Sequence, residues 1–228
     1  MTRIKICGLK SERDIDAVVK LPLHYVGFVF AHASRRYISF ELAKDLRTRL
    51  ASQRIALHHS PITTVGVFVD EDISVVAAAL AEGACDIPQL HGSEDNDYIT
   101  RLRVLTHKPC IQAFRVHDEN DIARAQKSAA DMIILDAGSG EGKRFNWELA
   151  RNVSRPFILA GGLAPTNAQT ALDFTHAWGV DVSSGVEENG IKSLSKMNAF
   201  CEAVKEFDRT GGDKIKIHST AYACAHRR

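Results

Sequence analysis

Phe157-Ile158-Leu159-Ala160-Gly161-Gly162, followed after one amphipathic stretch by Gly179-Val180-Asp181-Val182-Ser183, is the segment that decides the fold. Two short apolar runs flank Asn167–Phe174, whose apolar residues fall at helical spacing. A strand, a helix and a second strand in so short a span form a βαβ unit, which makes the two strands parallel. The same alternation runs back to the first residues. Further strands are expected at Ile4–Cys7, Tyr25–Phe30, Thr64–Val69, Asp86–Leu90, Pro109–Phe114 and Met132–Asp136. Helices are expected over stretches such as Ser11–Lys20 and Ile73–Glu82. Eight strand-helix units in one chain point to an α/β protein with a single (β/α)8 TIM barrel of eight parallel strands. An open doubly wound sheet fits the count less well, and periodicity by itself does not exclude it.

Local signals support the segmentation. Ser11 followed by Asp14 has the spacing of a capping box, with aspartate in place of glutamate, and Pro165 sits where a first-turn proline belongs. No linker rich in proline, glycine or serine divides the chain, so residues 1–207 read as one catalytic barrel. Residues 208–228, with Gly211-Gly212 and few large apolar side chains, read as a flexible tail.

At 228 residues and 45% hydrophobic content, the chain can bury a core without staples. The 29 basic and 28 acidic side chains leave a net charge of +1, which argues against a nucleic-acid or membrane-surface partner. Cys7, Cys85, Cys110, Cys201 and Cys224 are odd in number and widely spaced. No disulfide framework or metal site is therefore expected, and a reducing cytoplasmic setting is. Neither a signal peptide nor a membrane span is apparent.

In a barrel of this kind the chemistry gathers at the carboxyl ends of the strands. Polar residues do collect there: Cys7-Gly8 after the first strand, Ser34-Arg35-Arg36 after the second, Gln89 and His91 around the end of the fourth, and Asp136 at the sixth. Residues two apart share a face, so an inward Asp181 turns Val180 and Val182 out to the helices. Gly161-Gly162 and Ser183-Ser184-Gly185 follow the last two strands, where many barrels hold a phosphate against bare backbone N–H groups. Each glycine turn singly is as easily a loop closure, but the two in succession favour an anion site. A carboxylate closing the apolar run Met132–Leu135 is costly unless paired or functional, with a capping role as the alternative. Cys7 read blind is a small buried hydrophobe, and its place at a strand end beside Gly8 argues for more. Arg36 could be a solvated cation, and Gln89 and His91 are read as hydrogen-bonding residues of the mouth.

These residues together resemble a known family. Lys5-Ile6-Cys7-Gly8, Gly27-Phe28-Val29-Phe30, Arg36-Tyr37-Ile38, Gln89-Leu90-His91-Gly92, Leu135-Asp136, Phe145-Asn146-Trp147, Gly161-Gly162-Leu163 and Asp181-Val182-Ser183-Ser184-Gly185-Val186-Glu187 are similar to the motifs of phosphoribosylanthranilate isomerases, in order and spacing, over residues 3–207. The resemblance implies an Amadori rearrangement of a phosphosugar in tryptophan biosynthesis, without cofactor or metal, by a monomer or homodimer. It implies Asp136 as general acid and Cys7 as general base, with Arg36 on the substrate carboxylate. Gly161, Gly162, Ser183, Ser184 and Gly185 would hold the phosphate and Asp181 the ribose hydroxyls. A cysteine base should have a pKa brought down by nearby positive charge such as Lys5, and an aspartic acid donor should gain proton affinity from apolar burial. Glu141, in the glycine-rich stretch Gly138–Arg144, stands where the family usually carries a small hydroxyl residue. Competing expectations are another phosphosugar barrel of the imidazole-side or thiamine-phosphate type, and a barrel that binds phosphometabolites without turnover. The imidazole-side relatives use aspartate at both catalytic positions, so Cys7 separates them.

Overall fold

A computed structural model describes residues 1–136 and 147–211. Its strands are β1 (Arg3–Cys7), β2 (Tyr25–Val29), β3 (Thr63–Phe68), β4 (Ile87–Leu90), β5 (Ile111–Arg115), β6 (Met132–Asp136), β7 (Phe157–Ala160) and β8 (Gly179–Val182). All eight run parallel and close into a barrel in sequence order, with β8 hydrogen-bonded back to β1. Helices fill the crossovers: α1 (Glu12–Val18), α2 (Phe40–Ala56), α3 (Ile73–Ala81), α4 (Asn96–Thr106), α5 (Glu119–Gln126), α6 (Trp147–Ala150) and α7 (Ala168–Thr175). After β8 come a 3-10 turn at Ser184–Val186, a short hairpin of β9 (Glu187–Glu188) and β10 (Ile191–Lys192), and α8 (Leu194–Thr210).

The expected period-two alternation sorts the core into two layers. Ile4, Ile6, Val26, Phe28, Ile133, Leu135, Leu159, Val180 and Val182 point outward and pack under the helices. Val65, Ile87, Ile111, Ala113, Met132, Ile134, Ile158 and Ala160 fill the barrel interior, with Tyr25 and Trp178 against them. Burial of these branched side chains, at about 25 cal/mol per Å² of apolar surface, is the main favourable term for such a barrel. It also forces every polar residue that shares the inward parity toward either the mouth or an internal partner.

Half of the expected capping box forms at α1: Ser11 Oγ accepts from Asp14 N at 3.2 Å, while Asp14 Oδ2 accepts from Lys10 N at 2.9 Å, one residue before the cap, instead of from Ser11 N. Most element boundaries move by a residue or two, and three of the shifts have a visible cause. Pro165 is not the first residue of α7, which starts at Ala168 after Asn167. Asn167 accepts from Ala164 N and donates to Gly162 O, and this turn holds the helix back. Pro109 lies outside β5, which begins at Ile111, consistent with an amide that has no hydrogen to donate. Helix α8 continues past Phe207 through Thr210. The Asp208 carboxylate accepts from Thr2 N at 3.0 and 2.9 Å and from Thr2 Oγ1 at 2.7 Å, clasping the last helix to the start of β1. The stretch Gly138–Arg144 with Glu141, Phe145-Asn146 and residues 212–228 lie outside the described residues. Among the described residues no helix is long and apolar enough to cross a membrane, and no group of three or more His, Cys, Asp or Glu is placed to hold a metal ion.

Candidate active site

Asp136 closes β6 on the inward parity of Met132 and Ile134, so its carboxylate stands at the rim above the filled interior. Cys7 closes β1 on the same parity as Lys5, because Ile4 and Ile6 take the outward positions. The thiol lies over β2, where a Cβ on Gly27 would come within 2.6 Å of Cys7 Sγ. The acid and base candidates thus meet at one mouth, carried by two different strands.

Below them lies an internal ion pair. Register sets Lys5 beside Asp181 on β8, and Lys5 Nζ donates to Asp181 Oδ2 at 2.7 Å. Lys5 is fully buried (0% exposed) and Asp181 nearly so. Burial alone would push Lys5 toward its neutral form, yet the charges of Asp181 and Cys7 outweigh that and keep its pKa above the ordinary lysine value. Burial pushes the Asp181 carboxyl up, against the ammonium of Lys5, and the nearby Asp136 charge adds to the rise. Asp181 Oδ1 has no hydrogen-bond partner among the described residues and is buried, which is costly for an acceptor. The resemblance implies Asp181 on ribose hydroxyls; one of its oxygens is taken by Lys5 and one is left.

The Cys7 thiol departs from expectation. Lys5 and Lys192 both favour its thiolate, but burial and the Asp181 charge outweigh them, and its pKa lies above the ordinary thiol value. Positive charge near a cysteine does not lower its pKa when desolvation and a neighbouring carboxylate together outweigh it.

Around the rim, Arg36 arrives from the loop after β2 and lies across Gly8. Gly8 has φ of 80°, and a Cβ there would collide with Arg36 Cδ, so only glycine lets the guanidinium cross the end of β1. Arg36 is already engaged: Nε donates to Glu187 Oε1 at 2.7 Å and Nη2 to Glu187 Oε2 at 2.9 Å. Lys192 Nζ donates to the same Glu187 Oε1 at 2.9 Å and to Ser183 O at 2.9 Å. Arg35 adds an exposed bond to Glu187 Oε2 at 3.1 Å. Burial would raise the Glu187 carboxyl, but hydrogen bonds from Arg36 and Lys192 and their charges bring it down to about 2.

The two glycine turns also meet. Gly161 and Gly162 both take positive φ, 84° and 64°. A Cβ on Gly185 would strike the Leu163 carbonyl, so that glycine is what allows the turn after β8 to touch the turn after β7. Nothing lies within 4 Å of where a Gly162 Cβ would be, so its backbone faces open space. Ser183 Oγ donates to Cys7 O at 3.0 Å, tying the β8 turn to the end of β1. Ser184 begins the 3-10 turn. His91 Nε2 lies 3.3 Å from Asp136 Oδ2, and Gln89 Nε2 approaches His91 Nδ1 at 3.4 Å.

All the candidate residues therefore gather at one end of the barrel. The positions of Lys192 and Glu187 are not legible in the sequence. A lysine in a two-residue strand carries no periodic signal, and Glu187 stood out only as the end of a motif. Lys5 was legible, being two residues before Cys7 on the inward face.

Comparison with known proteins adds four findings. The family model described as N-(5'phosphoribosyl)anthranilate (PRA) isomerase matches residues 4–203. An N-(5'-phosphoribosyl)anthranilate isomerase from Thermoanaerobacter sp. (strain X514) is 37% identical over 212 residues, covering 90% of this chain and 98% of that one. Among solved structures, monomers generated from the dimeric phosphoribosylanthranilate isomerase of Thermotoga maritima superpose with a TM-score of 0.78 at 32% identity, covering 90% of this chain and 100% of theirs. A phosphoribosyl anthranilate isomerase in complex with reduced 1-(o-carboxyphenylamino)-1-deoxyribulose 5-phosphate gives a TM-score of 0.75 at 33% identity, with coverage of 90% and 100%.

Proposed function

The chain belongs to the N-(5'-phosphoribosyl)anthranilate isomerase family, and from that premise we propose how its own residues perform the reaction. The activity is isomerisation of N-(5'-phosphoribosyl)anthranilate to 1-(2-carboxyphenylamino)-1-deoxyribulose 5-phosphate, a step of tryptophan biosynthesis. Asp136 donates a proton to the furanose ring oxygen. The C1–O bond breaks, and the nitrogen lone pair forms the C1=N bond of a cationic Schiff base. Cys7, as thiolate, removes the C2 proton, and the C–H electron pair makes the C1=C2 bond of a neutral enolamine. Loss of the C2 hydroxyl proton with protonation at C1 then gives the ketone. The cationic nitrogen acidifies the C2–H bond, so a thiolate suffices as base and no metal enters the scheme.

The placement of the other residues supports the roles assigned to them. Arg36, an always-charged planar fork, binds the ring carboxylate. The Gly161-Gly162 and Ser183-Ser184-Gly185 turns hold the phosphate with backbone N–H groups and hydroxyls. Asp181 takes a ribose hydroxyl on its unpaired Oδ1. Lys5 and Lys192 stabilise the Cys7 thiolate once it forms. The substrate is a small phosphosugar, no nucleic acid is involved, and the barrel acts in the cytoplasm as a monomer or homodimer. Residues 1–211 form the catalytic domain, and the remaining stretch plays no part in turnover.

The observation that carries this reading is the joint position of Cys7 and Asp136 at the rim, on inward parity, with Asp181 electrostatically coupled to both. Loss of phosphoribosylanthranilate fluorescence on adding the purified chain tests the activity. Catalytic loss of signal with stoichiometric ketose formation is the expected result. A chain that binds the substrate without consuming it would favour the non-catalytic barrel.

A further inference from the structure

We propose that Glu187 is a positioning residue that sets the specificity of the site for a substrate bearing a carboxylate, by holding Arg36 along its Nε–Nη2 edge and so presenting the Nη1–Nη2 edge to that carboxylate. This rests on the reading of Arg36 given above. A guanidinium has two edges that can receive a carboxylate in two-pronged fashion, one through Nε and Nη2 and one through Nη1 and Nη2. Glu187 fills the first with bonds of 2.7 and 2.9 Å. The Nη1 nitrogen has no hydrogen-bond partner among the described residues, and the Arg36 side chain is 19% exposed. One edge is therefore locked inside the protein and the other is available.

Glu187 is itself held. Its side chain is 6% exposed, and Lys192, 2% exposed, bonds both to it and to Ser183 O in the turn after β8. Lys196 Nζ donates to Glu187 O at 2.9 Å, pinning the backbone as well. A flexible loop arginine loses several rotamers on binding an anion, and fixing it beforehand removes that cost. The chain of contacts runs from Arg36 through Glu187 and Lys192 to Ser183, so one network aligns the carboxylate-binding fork with the turn assigned to phosphate.

The test compares two substrates, phosphoribosylanthranilate and the anilino analogue that lacks the ring carboxylate, with Glu187→Gln and Arg36→Met. Thermal melting first establishes that each variant folds. Arg36→Met is expected to raise KM for the carboxylate substrate only, and an unchanged KM would overturn the reading of Arg36 itself. Given that rise, Glu187→Gln is expected to raise KM for the carboxylate substrate on the order of tenfold, with kcat within about threefold and a severalfold smaller change for the analogue, which feels only the Lys192–Ser183 arm. In the Arg36→Met background it should add no more than the change seen with the analogue. An unchanged or lowered KM, an equal rise for both substrates, or additivity with Arg36→Met would overturn the positioning role. If Glu187→Gln does not fold, Glu187→Asp is measured by the same criteria, since it keeps the charge and shortens the reach.

Discussion

Replacing Lys5 with methionine removes the buried cation while nearly conserving length, and its cost can be worked from the ion pair. Lys5 Nζ is the one hydrogen-bond donor to Asp181 among the described residues, at 2.7 Å, and Asp181 Oδ1 already has none. The variant leaves a carboxylate buried and uncompensated, a change that costs about 3–5 kcal/mol in comparable buried pairs. The carboxyl can escape by taking up a proton. From an unfolded-state pKa of about 3.9, that uptake costs about 1.4 kcal/mol per pH unit, or roughly 4 kcal/mol at pH 7. The loss at pH 7 is therefore capped near 4 kcal/mol, and it should shrink to roughly 1.5 kcal/mol at pH 5. The sign follows from burial raising the folded-state pKa of Asp181: a carboxyl that prefers to be protonated in the fold becomes less of a burden as pH falls. At about 2–4 °C per kcal/mol for a chain of this size, Tm at pH 7 should drop on the order of 6–16 °C. Calorimetry or urea unfolding of both proteins at the two pH values measures the difference. A loss under about 1 kcal/mol at pH 7, or one that grows toward pH 5, would refute the assignment of Lys5–Asp181 as a charged pair.

Three further outcomes follow from particular residues. Gly8→Ala should raise KM severalfold and cost roughly 1–2 kcal/mol of stability, since its φ of 80° strains any side chain and the new Cβ displaces Arg36; KM unchanged would mean that Arg36 does not need its path across Gly8. An alkaline limb of the kcat/KM profile that reports the Cys7 thiol should lie above the range of an ordinary cysteine, because burial and Asp181 push that thiol up and Lys5 and Lys192 only partly bring it back; a thiol-dependent limb below that range would contradict this. A chain cut after Phe207 should lose about 1–2 kcal/mol relative to one cut after Gly211, because only the longer retains Asp208 on Thr2; equal melting temperatures would show the clasp to be idle.

What could be read from the sequence follows the physics of each signal. Side-chain alternation is local and strict, so the inward parity of Cys7, Asp136 and Asp181 was legible without any contact. Glycine and serine turns after β7 and β8 were legible as turns, but their touching through Gly185 and Leu163 depends on how two loops pack. The helical stretch Asn167–Phe174 matches α7 to within a residue, but Pro165 lies ahead of the first turn because Asn167 holds the preceding turn through side-chain bonds that propensity does not rank. The elevated thiol is a sum of opposed terms: Lys5 and Lys192 against burial and Asp181. No single residue announces which side wins. Glu187 and Lys192 escaped notice because their meaning lies in what they join, Arg36 on one side and Ser183 on the other.

The central claim is that Cys7 and Asp136 divide the proton transfers, and deuterium at C2 of the substrate tests it most directly. Single-turnover loss of fluorescence would be followed for the parent chain, Cys7→Ser and Asp136→Asn with protiated and C2-deuterated phosphoribosylanthranilate. Cys7→Ser should slow the chemical step by at least about 10²-fold with a clear primary isotope effect, while substrate binding persists. Asp136→Asn should slow the reaction comparably with the isotope effect diminished, because ring opening then limits the rate. Cys7→Ser within a few-fold of the parent rate, or the two isotope effects in the reverse order, would contradict that claim.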